Sequence, residues 1–127
     1  MMRSLLNGKI HRARVTTAEV DYEGSISLDR DLMAAAGLVE NERVQVVDVT
    51  NGARLETYAI PAPAGSGTVQ MNGAAAHLVE VGDLIIVMSW ALVGDQEARD
   101  WHPTVVLVDD KNQVREVRRD RVDLLPA

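Results

Sequence analysis

The chain has 127 residues, 46% of them apolar but only 3% aromatic, and its formal net charge is −6. This length suits a single domain spanning residues 1–127, with an aliphatic core because phenylalanine is absent. The negative charge argues against nucleic-acid and anionic-membrane partners, and the absence of cysteine excludes disulfides, thiolate metal sites and cysteine nucleophiles.

The chain carries no evident segment for export or membrane insertion. Residues 1–9 lack the long apolar stretch of a signal peptide, and no other stretch approaches the length of a membrane span. We therefore expect a cytoplasmic protein. The three histidines are far apart in sequence and lack the spacing of metal ligands, so no metal site is expected.

The first elements are a strand, a turn and a helix. Residues 9–20 are rich in β-branched side chains and predict a strand, and residues 21–25 interrupt it with a turn. Residues 28–37 predict a short helix, with Asp29 as its N-cap and Gly37 as a left-handed stop.

A hairpin is the strongest local signal in the middle of the chain. Residues 43–49 and 54–60 have the pattern of strands, and they flank Asn51-Gly52, a dipeptide typical of tight hairpin turns. Residues 61–67 then predict a loop, and 69–71 a short strand.

The last third of the chain predicts further short strands. Residues 84–90 and 105–108 are apolar strands, 95–99 a helical turn and 109–112 a turn that reverses the chain. Six or more short strands in so small a protein favour a closed barrel, which also removes exposed sheet edges. The last dozen residues are highly charged, and we expect them to form a loose, solvated tail.

The dipeptide Gly24-Ser25 could support self-cleavage. A serine hydroxyl that attacks the preceding carbonyl carbon forms an ester, and glycine favours this attack because it lacks a side chain and tolerates a strained backbone. Elimination from the serine α-carbon would then split the ester, and hydrolysis would leave a ketone at the new chain end. Gly-Ser also occurs at 65–66, and most such dipeptides are plain turns, so the surrounding sequence must distinguish them.

The surrounding sequence contains several motifs in a fixed order and spacing. They are KIHRARVT (9–16) leading to YEGS (22–25), NGAR (51–54) with TYAI (57–60), GSG (65–67) and NGAAAH (72–77). Together they resemble the pyruvoyl-dependent aspartate decarboxylase family over roughly residues 1–103. Agreement of four separate blocks without gaps makes chance similarity a poor explanation.

The resemblance implies a mainly β fold, a double-psi β-barrel with short helices, assembled as a homotetramer. It implies cleavage between Gly24 and Ser25 into chains 1–24 and 25–127, with help from a maturation factor in some members. Ser25 would become a covalent pyruvoyl group that forms a Schiff base with L-aspartate, with no metal and no pyridoxal phosphate. The product would be β-alanine for pantothenate and coenzyme A synthesis.

The resemblance also implies catalytic roles for four residues. Gly24 would supply the attacked carbonyl and Ser25 the nucleophile, while Thr57 would donate a hydrogen bond to the oxyanion. Tyr58 would return a proton to the substrate carbon after carbon dioxide leaves.

Substrate-binding roles follow in the same way. Arg54 and Lys9 would hold the substrate carboxylates, a task for which the two N–H groups of a guanidinium are well shaped. The remaining residues would line or adjoin the pocket: Asn72, Gly73, Ala74, Ala75, His11 and Tyr22. Without the resemblance, Arg54 would be an exposed partner in a surface ion pair and Tyr58 a half-buried strand aromatic.

Thr57 and Tyr58 pose a geometric question. Neighbours on a regular strand point to opposite faces, so both serve one site only if the strand bends or a second subunit meets it. This observation favours an oligomer.

Three other interpretations remain open. The first is an uncleaved, non-catalytic barrel that serves as a binding or scaffold module. The second, a small DNA-binding β-barrel, is opposed by the negative charge. The third, a pyruvoyl decarboxylase for another amino acid, fits less well with a match to a family of small single chains.

Overall fold

The computed structural model describes residues 1–119, which form nine strands and three short helices. The strands are β1 (Met2–Arg14), β2 (Thr17–Glu19), β3 (Ser25–Asp29), β4 (Arg43–Asp48), β5 (Arg54–Ala62), β6 (Val69–Asn72), β7 (Leu84–Gly94), β8 (Thr104–Val108) and β9 (Val114–Arg118). The helices are α1 (Arg30–Ala36), a 3-10 helix (Gly73–Leu78) and α2 (Asp95–Ala98). None of the helices in this part of the chain has the length and apolar character needed to cross a membrane.

The sheet closes on itself as a barrel. Its strand order is β2-β6-β3-β5-β4-β7-β1-β8-β9, and only Val15 and Thr16 separate β1 from β2 in the chain. The N–H of Val15 donates to the carbonyl of Asp83 and that of Thr16 to the carbonyl of Val69, both at 2.8 Å. β1 and β2 therefore act as one bent strand that joins β7 to β6, while β8 and β9 extend from the other edge of β1.

Parallel and antiparallel neighbours are mixed around this ring. β3 is parallel to β5 but antiparallel to β6, and β1 is parallel to β8 but antiparallel to β7. Parallel neighbours need crossover connections instead of hairpins, and α1 with β4 forms the crossover between β3 and β5. The predicted fold class, a mainly β double-psi β-barrel with short helices, is confirmed.

Aliphatic side chains fill the interior, as the composition predicts. The largest fully buried side chains include Ile10, Ile26, Leu28, Leu32, Met71 and Ile85. Along each strand, buried residues alternate with partly or fully exposed ones, as in β4, where Val44 and Val46 are buried and Arg43 is exposed. This alternation defines an inner and an outer face for every strand of the barrel.

Local signals located the hairpin and the helix correctly. β4 and β5 pair antiparallel around Asn51-Gly52, with Val47 opposite Arg54. Asp29 Oδ1 accepts a hydrogen bond from the N–H of Asp31 at 2.8 Å, and Gly37 has the left-handed φ of 74°. The helical turn at 95–98 and the reversal at 109–112 are also confirmed.

The boundaries of several strands differ from the prediction. The first strand begins at Met2 instead of residue 9 and breaks at residues 15–16, where the chain passes from one barrel neighbour to the next. β3 lies where a turn and the start of the helix were predicted, because its residues pair with β5 on one side and β6 on the other.

The charged C-terminal segment is only partly a tail. Residues Val114–Arg118 form β9, which pairs with β8, so the prediction of a loose tail is wrong for its first residues. Charged side chains suit this strand because it is the last strand of the sheet, where charge discourages pairing with other chains. Residues 120–127, the rest of the predicted tail, lie outside the described residues.

Candidate active site

Ser25 and Asn72 form a buried polar pair across two strands. Ser25 is the first residue of β3 and stands opposite Asn72 at the end of β6. Their exposed fractions are 2% and 1%, and Asn72 Nδ2 donates a hydrogen bond to Ser25 Oγ at 2.9 Å. The hydroxyl predicted to act as nucleophile is therefore removed from solvent and held by an amide from the neighbouring strand.

Gly73 packs directly against the backbone of Gly24. Gly73 has a φ of 75°, and a Cβ at this position would lie 2.8 Å from Gly24 Cα and 3.3 Å from the carbonyl oxygen of Tyr22. Any other residue at 73 would displace residues 22–24. A Cβ at Gly24 would meet no atom within 4 Å, and Ser25 is extended with a φ of 159°. The close packing that requires glycine is thus at position 73.

Thr57 and Tyr58 come from the strand beside the Gly24-Ser25 bond. Ile26 pairs with Ala59 of β5, and Thr57 and Tyr58 are the two residues before Ala59. Thr57 is half-buried on the same face of β5 as the buried Ala59, whereas Tyr58 is 38% exposed on the opposite face. The two side chains do point to opposite faces, as strand alternation requires.

Ser25, Asn72 and Tyr58 share the outer face of the barrel wall. Ile26 and Met71, their neighbours in β3 and β6, are buried in the core, so Ser25 and Asn72 point the other way. Although it lies on the outer face, Ser25 remains buried. Of the predicted catalytic side chains, only Thr57 points inward.

Arg54 shares this outer face but lies further along β5. It precedes Tyr58 by four residues, which corresponds to about 13 Å along a strand. Like Tyr58 it is exposed. Arg54 therefore lies on the same outer face as Ser25 but is well separated from it within one chain.

Lys9 is more distant still. It stands opposite Met88 of β7, Met88 stands opposite Gln45 of β4, and Gln45 opposite Glu56 of β5. Residues directly opposite each other share a face, so Lys9 is also on the outer face. Through β5, β4 and β7, four strand spacings separate β1 from β3, about 19 Å around the wall. Through β6 and β2 the ring is crossed in two spacings, but Lys9 then precedes β2 by eight residues, about 26 Å along the bent strand. By either path Lys9 lies far from Ser25 of its own chain.

Of the other predicted pocket residues, some lie beside Ser25 and one lies away from it. Tyr22 is exposed beside the Gly24-Ser25 bond, and the 3-10 helix carries an exposed Ala74 and a half-buried Ala75 next to Gly73. His11 lies on β1 opposite Leu107 of β8, away from Ser25. There it helps to line a mixed-charge cavity of about 240 Å³ with Arg12, Arg14, Leu84, Leu107, Val108, Asp109, Asp110 and Arg115.

Two polar residues of the site were not predicted from the sequence. Gln70 Nε2 donates to Asn72 Oδ1 at 2.7 Å, and Asn72 Nδ2 donates a second hydrogen bond to Ser27 Oγ at 3.0 Å. Ser27 stands opposite Gln70 in the β3–β6 pair. The signal that could have found them is their spacing, because residues two apart on a strand share a face with Ser25 and Asn72.

The chain resembles known proteins over most of its length. The family model described as aspartate decarboxylase matches residues 1–115. Aspartate 1-decarboxylase from Corynebacterium efficiens is 52% identical, over 100% of this chain and 93% of the relative, and that from Myxococcus xanthus is 55% identical, over 90% and 88%. The crystal structure of the rationally designed protein mkDPBB_sym_86 covers 61% of this chain and 90% of its own, with 22% identity and a TM-score of 0.47.

These matches extend over nearly the full length of both relatives, and the family model spans the positions of the predicted site residues. From the family match and from identities above half, the chain belongs to the aspartate decarboxylase family.

Proposed function

We propose that this chain converts L-aspartate into β-alanine and carbon dioxide, with a pyruvoyl group formed from its own Ser25. The decarboxylation of aspartate rests on family membership over residues 1–115 and on relatives that carry the name aspartate 1-decarboxylase. β-Alanine from this reaction enters pantothenate synthesis. The alternative of a non-catalytic barrel is not favoured by these matches.

The pyruvoyl group would arise by cleavage between Gly24 and Ser25. Ser25 Oγ attacks the carbonyl carbon of Gly24, so a C–O bond forms, the peptide C–N bond breaks and an ester links the two residues. Removal of the α-proton of residue 25 then breaks its Cβ–O bond, which leaves a carboxylate on Gly24 and dehydroalanine at 25. Addition of water and loss of ammonia complete the ketone, giving chains 1–24 and 25–127.

Residues around the bond suit the first step. Asn72 holds Ser25 Oγ at 2.9 Å, and an N–H donor stabilises this oxygen as it loses its proton. Gly73 allows residues 22–24 to lie against the 3-10 helix. Thr57, on the adjacent strand, would donate to the oxyanion that forms on the Gly24 carbonyl, the type of interaction with the largest effect in acyl transfer. Because its side chain points to the inner face of β5, this role requires the strand to bend or a neighbouring copy to meet the site.

The surroundings of residue 25 also fit a small ketone-bearing group. The position is 2% exposed, lies between β5 and β6, and faces the Asn72 amide, a donor for a carbonyl oxygen. Once formed, the pyruvoyl group would supply a ketone for condensation with the substrate amine and an acceptor for the electrons released with carbon dioxide.

The remaining side chains would bind substrate and move one proton. Arg54 suits a carboxylate because its guanidinium presents two parallel N–H groups, and Lys9 adds a second positive charge. The Tyr58 hydroxyl, on the same outer face as Ser25, would return the proton to the substrate carbon. Gly73, Ala74 and Ala75 leave room for the substrate beside Asn72.

The spacing of these residues supports an oligomeric site. Lys9 lies about 19 Å around the wall from Ser25, and Arg54 lies about 13 Å along β5 from Tyr58. Lys9 and Ser25 face outward from strands that are not neighbours in the ring, so one aspartate cannot contact both within a single chain. A neighbouring copy that covers the outer face would bring in the missing cation. The homotetramer and the cytoplasmic location that the family resemblance implies are part of the same proposal.

An intact mass spectrum of the purified protein under denaturing conditions tests the proposal. We expect one chain of residues 1–24 and a second chain, 25–127, lighter by one ammonia than its serine-ended form. The same preparation should release carbon dioxide and β-alanine from L-aspartate. A single uncut mass that persists after prolonged warming and after addition of a maturation factor would contradict the proposal.

A further inference from the structure

The polar side chains around Ser25 form two adjacent cross-strand pairs. Ser25 stands opposite Asn72 and Ser27 opposite Gln70 in the antiparallel β3–β6 pair. Because residues two apart on a strand point the same way, all four side chains share one face. They form a compact polar cluster on this face, whereas Ile26 and Met71 between them are buried in the core.

The hydrogen bonds in this cluster have a direction set by Gln70. In the structure Gln70 directs its amide nitrogen Nε2 at Asn72 and donates to Asn72 Oδ1 at 2.7 Å. The Asn72 nitrogen then points to the two serines, with one N–H for Ser25 Oγ at 2.9 Å and one for Ser27 Oγ at 3.0 Å.

The direction matters for cleavage. With the nitrogen toward Ser25, the amide donates to the hydroxyl oxygen and stabilises it as its proton leaves. With the Asn72 amide reversed, its oxygen would instead accept the proton of Ser25 and oppose the development of negative charge. Both orientations of a primary amide fill the same space, so packing alone does not select between them.

We propose that Gln70 is a positioning residue for the self-cleavage at Gly24-Ser25, acting by fixing the orientation of the Asn72 amide. This inference rests on the proposed function, because it concerns the cleavage step. Gln70 itself does not contact Ser25 among the hydrogen bonds of the cluster; its effect passes through Asn72. Ser27 Oγ accepts the second N–H of the Asn72 amide, but a serine hydroxyl can also donate, so Ser27 does not select the orientation and Gln70 does.

Two substitutions separate this role from a packing role. Gln70→Met keeps a side chain of similar length and removes the donor, so cleavage should be about 3- to 10-fold slower, the effect of one hydrogen bond. Gln70→Glu at pH 8 presents only acceptors and should reverse the Asn72 amide, so its cleavage should be slower than that of Gln70→Met. Near pH 4, below the ordinary glutamate pKa of about 4.3, most of the glutamic acid is protonated and donates again, so the rate of Gln70→Glu relative to Gln70→Met should rise.

The measurement is a time course of cleavage after cell-free synthesis, with samples quenched in denaturant and the 1–24 chain quantified by mass. Gln113→Glu is the matched control: Gln113 is also half-buried and also donates to carbonyl oxygens, those of Gly65 and Lys111. It should cleave like the unchanged chain at both pH values. Circular dichroism verifies that each variant is folded.

The outcomes are distinguishable. Equal cleavage of the unchanged chain and Gln70→Glu at pH 8, or a Gln70→Glu to Gln70→Met ratio independent of pH, would overturn the role of Gln70. Absence of cleavage in the unchanged chain would instead refute the proposed function.

Discussion

Asp48 and Asp83 place their carboxyl groups within reach of one shared proton where two turns of the barrel come together. Asp48 is 1% exposed at the end of β4, and its Oδ1 accepts from the N–H groups of Thr50 and Asn51 at 2.8 and 3.2 Å. Asp83 Oδ2 accepts from the N–H of Glu80 at 3.0 Å. The contact joins the hairpin that leads into Arg54 to the connection that follows the 3-10 helix.

This carboxyl pair should make stability depend on pH. Burial, followed by the hydrogen bond to Asp83, raises the pKa of Asp48, and the hydrogen bond from Asp48 lowers the pKa of Asp83. The stabilisation from Asp48 is complete below its ordinary pKa and is lost as pH rises through the raised value; that from Asp83 is lost as pH falls through the lowered value. The pair therefore stabilises most when one proton is shared, in the acidic range.

We predict that Asp48→Asn removes the loss of stability that the carboxyl pair causes as the pH rises. An asparagine keeps the acceptor for Thr50 and Asn51 and donates a permanent N–H to Asp83. The free energy of unfolding, measured by urea titration between pH 4 and 8, should then fall less with rising pH than in the unchanged chain. Asp110→Asn, at an exposed position, is the control and should leave the slope unchanged. Identical slopes for the unchanged chain and Asp48→Asn would rule out a shared proton.

Gly73→Ala should impair both folding and cleavage. The alanine Cβ would lie 2.8 Å from Gly24 Cα, and the φ of 75° is unfavourable for any residue with a Cβ. We expect a loss of about 1–3 kcal/mol in the free energy of unfolding and a slower appearance of the 1–24 chain.

Gly65→Ala provides the comparison. Gly65 has a similar φ of 78°, but a Cβ there would meet no atom within 4 Å. Gly65→Ala should lower the free energy of unfolding through its strained backbone, but it should cleave at the rate of the unchanged chain. If both variants cleave at the same rate, the contact between Gly73 and Gly24 is not important for the reaction.

Tyr58→Phe should separate maturation from turnover. The hydroxyl is on the exposed face of β5 and is assigned only to proton return, so the 1–24 and 25–127 chains should still form. Turnover of aspartate should fall by about 100-fold or more, the usual effect of removing a general acid. The kinetic constant to compare is kcat per cleaved chain, determined by mass. An unchanged kcat would remove Tyr58 from the proton transfer.

Local patterns in the sequence identified the elements that depend on local interactions. Asn51-Gly52 located the hairpin, and Asp29 with Gly37 located the ends of α1, because turns and caps are built from neighbouring residues. β3 was missed because its pairing with β5 and β6 is non-local, and a short segment has no periodic pattern of its own that distinguishes it from a turn.

In the candidate site, too, some features could be predicted from the sequence and others depend on non-local strand pairing. The motifs identified Ser25 and Asn72, and in the structure Asn72 Nδ2 lies 2.9 Å from Ser25 Oγ. The importance of Gln70 depends on the β3–β6 register, which only the folded barrel supplies. The separation of Lys9 from Ser25 likewise follows from the strand order and not from their short distance in the sequence.

That separation leads to a prediction about assembly. If Lys9 serves a site whose Ser25 belongs to another copy, Lys9→Ala and Ser25→Ala chains should complement each other. Each variant alone should be inactive or nearly so, because one lacks the substrate cation and the other the cofactor. Co-expressed in equal amounts, they form sites that combine an intact Ser25 from one chain with an intact Lys9 from another, roughly a quarter of all sites in a randomly mixed oligomer.

The measurement is the decarboxylation rate of the co-expressed pair, purified through tags on both chains so that only mixed assemblies remain. Lys9→Ala co-expressed with an untagged copy of itself sets the background. A Lys9→Ala,Ser25→Ala double variant mixed with the unchanged chain should add no activity beyond that of the unchanged chains. It supplies neither the serine that forms the cofactor nor the lysine that binds the substrate. Failure of the single variants to complement, in assemblies shown by mass to contain both, would contradict this prediction. It would place Lys9 and Ser25 of one site in the same chain, although about four strand spacings, about 19 Å along the wall through β5, β4 and β7, lie between their strands.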